Sequence, residues 1–386
     1  MPRSYQKLFE YFVAELLTSL SCHESIHQEL CRSVVPETLS SPHLLSASLA
    51  WAATVWASKG ANELDGVNIS VLRAHLLSSS VSLLRAILER GQWNQTALTT
   101  CLVLCLEDAY AGRKSTSTWR HHLQGAGALW NLRTHTTSTP SPTSSDFMSH
   151  LYLSLHALAG IAGHDEYNML FSSEAEIVDS ENDDGCANGI DGFLGYNSNI
   201  LHILRKVQKI SIAGDHGSSK MFEAEALLRK ASSMISQNDS RDPDILIRSS
   251  ISTQSRRDFV LCNRAFQQST LIHIYRKLHQ LPSSSPEVQT AVKTTISAIV
   301  EMKQDQQCSA WIVTAMPLFI VGCEACNWED RNFVLDQFRK LELCIGSSQM
   351  LLAREALTSF WNVRAERQDV EGHLHPSQVL GEFEVL

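Results

Sequence analysis

The chain has 386 residues, of which 44% are apolar and 19% are charged. This composition excludes a disordered chain, because it supplies enough apolar side chains to build a large core. The net charge of −9 argues against a surface built to neutralise phosphates, since domains that bind nucleic acids usually present a basic face.

The first predicted element is an amphipathic helix, MPRSYQKLFEYFVAELLTSL. Lys7, Glu10 and Glu15 interrupt its apolar pattern, which is unlike a secretory signal, so we expect an intracellular protein. Two more strongly apolar runs, at 44–57 and 311–323, are shorter than the roughly 20 residues needed to cross a bilayer. They predict buried core helices.

Helical periodicity continues along most of the chain. Ser41 and Pro42 form the N-cap and first position of one helix, Gly91 is a stop signal, and Asn94 caps the next helix. Further helices are predicted at 119–132, 146–162, 197–213, 221–235, 255–280, 286–304, 309–326, 327–344 and 347–365. Because neither sustained strand alternation nor a βαβ order is present, the sequence predicts an all-α fold.

Three polar stretches interrupt the helices, at 134–145, 172–192 and 236–244. The first is rich in Ser, Thr and Pro, the second is acidic, and all three are typical of surface connections. The sequence has no fixed-period repeat. We therefore predict one irregular multi-helix domain with long surface loops over 1–367, with its candidate sub-boundary at 134–145, an acidic loop at 172–192 and a C-terminal tail at 368–386.

Cys323 and Cys326 form the first candidate metal site, because two residues separate them. A structural zinc ion needs four ligands, usually from two such pairs, and a redox pair of this spacing usually lies in a βαβ unit. No second pair of this spacing occurs in the sequence. These cysteines, like Cys101 and Cys105, are interpreted as core residues.

Gly322 lies inside the same apolar run, where glycine is costly in a helix. Its presence predicts a close approach between two helices.

Other motifs lack parts that their chemistry requires. The segment YAGRKSTST lacks the upstream glycine and strand of a phosphate-binding loop. The segment DSENDDG, at 179–185, begins like a calcium loop, but its glycine comes one residue late and no Glu closes it. Asp183 and Asp184 within it are similar to the magnesium motif of all-helical terpene cyclases, without its third carboxylate. The histidines, among them His121, His122 and His273, show no ligand or nucleophile spacing, so we predict no catalytic, cofactor-binding or metal site.

The segment MPLFIVGCEACNWEDRNFVLDQFRKLE, with Phe360 and Trp361 after it, resembles the C-terminal signature of the fungal-specific transcription factor regulatory domain. Val321 replaces a small residue of that signature. Four earlier segments resemble family blocks in the same order: SPHLLSASLAWAA, TWRHHLQGAGALW, DGFLGYNSNILHILRKV and AFQQSTLIHIYRKLHQLPSSSPEVQ. The signature positions that match are Pro317, Leu318, Phe319, Ile320, Gly322, Cys323, Glu324, Ala325, Asp330 and Arg331.

This resemblance implies an all-α regulatory domain in the nucleus that controls metabolic genes, often a secondary-metabolite cluster, with no enzymatic activity and no cofactor. In the family a six-cysteine zinc cluster precedes this region, and the sequence contains no such cluster. We therefore expect association with promoter DNA to be indirect. The expected partner is a DNA-binding transcription regulator or a second copy of the chain through self-association, with no membrane partner. The alternatives are an all-helical enzyme of secondary metabolism and a helical interaction scaffold.

Overall fold

The computed structural model describes residues 2–91, 94–111, 118–136, 144–161, 189–212, 218–240, 244–247, 250–304 and 307–376. Most of these residues are helical, which confirms the predicted all-α fold. The α-helices are α1 (Arg3–Tyr11), α2 (Glu24–Ser40), α3 (Pro42–Ser58), α4 (Ile69–Glu89), α5 (Gln95–Ala111), α6 (Thr118–Thr136), α7 (Ser144–Ile161), α8 (Asn199–Ile212), α9 (Ser218–Ser240), α10 (Thr253–Lys277), α11 (Pro286–Glu301), α12 (Ala315–Glu324), α13 (Trp328–Ile345) and α14 (Ser348–Glu366).

Short elements complete the described structure. A π-helical turn at Phe12–Leu16 and a final turn at Leu17–Ser19 extend α1. Strands β1 (Glu63–Leu64) and β2 (Val67–Asn68) pair antiparallel. Strands β3 (Ile190–Asp191) and β4 (Ile245–Leu246) pair parallel.

The helix-boundary signals lie where the sequence predicts them. Asn94 Oδ1 accepts a hydrogen bond from the Ala97 N–H at 3.1 Å, and Pro42 is the first residue of α3. Gly91 follows α4 with φ +67°, a left-handed conformation that favours glycine. These boundaries are set by short-range interactions.

The structure corrects the predicted helix at 309–326, which is broken into two pieces. Ala310–Val313 form a 3-10 turn, and α12 begins only at Ala315. Pro317 explains the break, because it has no N–H to donate and its ring clashes with a preceding helical turn.

Two other helices differ from their sequence patterns. Helix α2 was not predicted, and it contains Pro36 in its interior. It buries Ile26, Leu30 and Val34 against the core, which offsets the cost of the proline. Helix α9 extends to Ser240, so it includes part of the polar stretch at 236–244.

Apolar side chains form two large clusters, one built from α1–α7 around Trp51 and one from α8, α10–α14 and the segment 190–196 around Trp311. A smaller cluster joins α8, α9 and α10. Gly346, just after α13, connects the two large groups, because Ser58 Oγ donates to its carbonyl oxygen at 3.1 Å.

Helix α4 is the one described helix that is long and apolar enough to cross a membrane by length and composition. In this structure it packs against α3 and buries Ile69, Leu72, Leu76 and Leu84. It is therefore a helix of the N-terminal core.

Gly322 of α12 lies at a close contact with α13 and α14. A Cβ atom added there would lie 2.7 Å from Leu357 Cδ1 and 3.1 Å from Val334 Cγ1. This confirms the predicted close approach between helices.

We expect Gly322→Leu to lower the free energy of unfolding by about 1–3 kcal/mol, because the added atoms have no space. Gly125→Ala is the matched control, since Gly125 also lies within a helix but an added Cβ there meets only Cys101 Sγ, at 3.7 Å. The free energy of unfolding of that control should rise by about 0.5–1 kcal/mol, because alanine has a higher helix propensity than glycine. Urea unfolding measures both, and equal stability of the two variants would contradict the packing assigned to Gly322.

Candidate functional site

The signature segment at 316–342 forms nearly all of α12, the turn after it and most of α13. Side chains of α13 and α14 bind the carbonyl groups at the end of α12, which lack intrahelical donors. Trp361 Nε1 donates to the Gly322 carbonyl at 2.9 Å, and Arg331 Nε donates to the Ala325 carbonyl at 3.1 Å. The signature is therefore a junction of three helices.

A buried ion pair lies at this junction. Arg276 Nε, from α10, lies 2.8 Å from Glu324 Oε2, and both side chains are only 4% exposed. Ser283 Oγ donates to the same carboxylate oxygen. Glu324 thereby links the last turns of α10 and α12.

The electrostatics of Glu324 are set by opposing effects. Burial raises the pKa of its carboxyl group. The positive charge of Arg276, the hydrogen bond from Ser283 and the positive charge of Arg364 act in the opposite direction. The carboxylate is therefore held by positive charge and hydrogen bonding in a site closed to solvent.

The residues after α14 fold back over this pair. Arg276 donates to the Leu374 carbonyl at 3.0 Å, and the Ser283 N–H donates to the Gly372 carbonyl at 3.0 Å. Asp369 Oδ2 accepts from the Leu374 N–H at 2.9 Å. The first part of the predicted tail thus packs against the α10–α11 connection.

The CxxC pair is divided between the core and the surface. Cys323 is buried, whereas Cys326 is exposed. Burial raises the pKa of the Cys323 thiol well above its ordinary value, which disfavours the thiolate that binds metal. Among the described residues, no group of three or more His, Cys, Asp or Glu side chains could hold a metal ion. The acidic segment with Asp183 and Asp184 lies outside the described residues.

A family model described as a fungal specific transcription factor domain matches residues 7–374. The chain belongs to this family. The match starts within α1 and ends at Leu374, the residue whose carbonyl accepts the hydrogen bond from Arg276. Comparison with curated proteins and with solved structures found no match.

The family match supports a role in transcription regulation, because the family is one of transcription factor domains. In this fungal transcription factor domain the signature residues Gly322 and Glu324 hold the helix junction together. Sequence reasoning matched both residues to the family but did not identify Arg276 as the partner. An arginine within the apolar helical segment LIHIYRKL is the signal that could have shown a buried charge.

We expect Glu324→Ala to lower the free energy of unfolding by about 3–5 kcal/mol, because it leaves the buried Arg276 charge uncompensated. Glu301→Ala is the control, since Glu301 pairs with Arg257 at the same N–O distance, 2.8 Å, but the two side chains are 46% and 60% exposed. The control should unfold at nearly the same denaturant concentration as the wild type, because an exposed ion pair contributes little to stability. Chemical denaturation followed by circular dichroism measures both, and similar losses would show that the Glu324 pair is not isolated from solvent.

The predicted absence of a metal site has its own test. We expect elemental analysis of the purified chain to find well below one zinc per molecule, and a chelator to leave its melting temperature unchanged. A thiol reagent should modify the exposed Cys326 before the buried Cys323, which mass spectrometry of peptides can resolve. One bound zinc per chain with both thiols protected would overturn this prediction.

Proposed function

We propose that this protein regulates transcription of a set of metabolic genes, such as a secondary-metabolite gene cluster, in the nucleus. The family match over residues 7–374 carries the proposal, because it covers nearly the whole chain. The choice of metabolic genes follows from the resemblance of the signature at 316–342.

We infer that the chain does not itself hold DNA, and that a DNA-binding regulator brings it to promoters; its other candidate partner is a second copy of the chain. Its net charge is −9, and several of its described lysines and arginines lie in ion pairs with carboxylates. Lys293 lies 2.8 Å from Asp330, and Lys340 lies 3.2 Å from Asp336. Counterion release from phosphates, the main source of non-specific DNA affinity, is therefore weak for this chain.

The same proposal holds that the protein is not an enzyme. Ser283 and Glu324 are in contact and are the kind of residues that catalysis uses, but both are buried. A substrate has no access to them in this arrangement. Burial of this network supports a structural role at the helix junction.

We expect the full chain, fused to an unrelated DNA-binding domain, to change expression of a reporter gene that carries the matching sites. The purified chain alone should show no salt-dependent binding to duplex DNA at about 150 mM salt, since its net charge is −9. The DNA-binding domain without the chain is the control for the reporter, and fluorescence anisotropy measures the DNA binding.

Transcript profiling after deletion of the gene separates the alternatives. Coordinated change in several metabolic genes supports regulation, whereas loss of one metabolic step with unchanged transcripts supports an enzyme. A silent fusion with unchanged transcripts and unchanged metabolites favours the scaffold alternative. Tight sequence-specific binding by the chain alone would contradict indirect recruitment.

A further inference from the structure

Helix α13 has one face in the core and a solvent face that carries large apolar side chains. Val334, Phe338 and Leu341 are fully buried, while Trp328 is 70% exposed and Leu343 is 78% exposed. At 3.6 residues per turn, Trp328 and Leu343 lie on the same side of the helix, about 22 Å apart along its axis. Exposed tryptophan is costly in water and is enriched among the residues that dominate protein interfaces.

A groove beside this face leads onto α14, and two leucines and five polar or charged side chains line it. It has a volume of about 410 Å³, and Leu335 of α13 and Leu351 of α14 are among the residues that line it. Leu351 is itself 40% exposed. We call Trp328, Leu335, Leu343 and Leu351 the α13 surface.

Two exposed side chains of opposite charge lie on the same helix without an ion-pair partner among the described residues. Glu329 is exposed near the N-terminal end, and Arg339 is exposed in the C-terminal half. Neither side chain has an ion-pair partner in the described part of the chain. They lie about 15 Å apart along the helix, which is too far for them to pair with each other.

We propose that the α13 surface binds the α13 surface of a second copy of this chain, with the two helices antiparallel. In that orientation the exposed Trp328 of each copy lies level with Leu343 of the other. Glu329 of one copy then lies within about 5 Å, along the axis, of Arg339 of the other. Because the arrangement is two-fold symmetric, both unpaired charges on both copies gain an opposite charge.

The surface favours antiparallel self-pairing over a parallel one. A parallel pair would place Glu329 against Glu329 and Arg339 against Arg339, where like charges repel. Antiparallel helices also place the positive end of each helix dipole beside the negative end of the other. The two unpaired charges of α13 therefore favour the antiparallel orientation.

The size of the α13 surface determines how stable the dimer is expected to be. One helix pair with a short groove buries less than the roughly 1,200–2,000 Å² of a stable interface, so we expect a dimer that dissociates on dilution. This inference specifies the self-association left open in the proposed function. The test of the dimer measures molecular mass, whereas the test of the proposed function measures reporter expression. A failure of one proposal is therefore distinguishable from a failure of the other.

Sedimentation of the full chain at concentrations up to about 100 μM, a range suited to small interfaces, tests the proposal. The mass should rise from 43.0 kDa towards twice that value as concentration increases. Trp328→Ala should weaken the dimer at least tenfold. Phe222→Ala is the matched control, since Phe222 of α9 is also 70% exposed, and it should leave the dimer unchanged.

Charge exchange tests the orientation. Glu329→Arg alone and Arg339→Glu alone should each remain monomeric, because each places like charges opposite one another. An equimolar mixture of these two variants should form a heterodimer, and the double variant Glu329→Arg/Arg339→Glu should dimerise like the wild type. Circular dichroism checks that each variant keeps its helix content.

Three results would overturn the proposal. The first is a wild-type mass that stays at 43.0 kDa over the whole concentration range. The second is an equal effect of Trp328→Ala and Phe222→Ala. The third is a mixture of the two single charge variants that is no heavier than either variant alone.

Discussion

The pairing of Glu324 with Arg276 is the constraint on which the C-terminal half of this structure depends. A carboxylate that is 4% exposed loses its hydration, so it must find positive charge and hydrogen-bond donors within the protein. Arg276 and Ser283 supply them, and the same two residues bind the carbonyls of Leu374 and Gly372. One buried charge thus fixes the positions of two helices and of the segment that follows the last helix.

The N-terminal half contains a comparable feature. Glu107 of α5 is buried and accepts hydrogen bonds from Arg73 of α4 and Thr54 of α3. Three helices that otherwise meet through apolar side chains are therefore joined at one polar point. We interpret both networks as devices that specify how the helices pack, because a displaced helix would leave a buried charge without its partner.

These constraints matter for regulation because a regulatory domain acts through the surfaces that it presents. The junction at Glu324 lies directly before α13, and Gly322 lets α12 approach that helix closely. Asn327 caps α13 through the Asp330 N–H at 2.8 Å, and Lys293 holds Asp330 from α11. The exposed face of α13 therefore belongs to a helix whose N-terminal end is fixed by these contacts.

The sequence by itself determined the all-α fold, most helix boundaries and the family, because periodicity, caps such as Asn94 and the signature at 316–342 are local patterns. It did not predict α2, since the interior Pro36 is locally unfavourable and only tertiary packing compensates for it. The sequence also could not predict that Glu324 pairs with Arg276, because the spacing of two charges that are far apart in the chain does not show whether they are in contact in the fold. The tertiary structure decided that pairing, and it decided which apolar residues of α13 are buried and which, like Trp328, are left exposed to solvent.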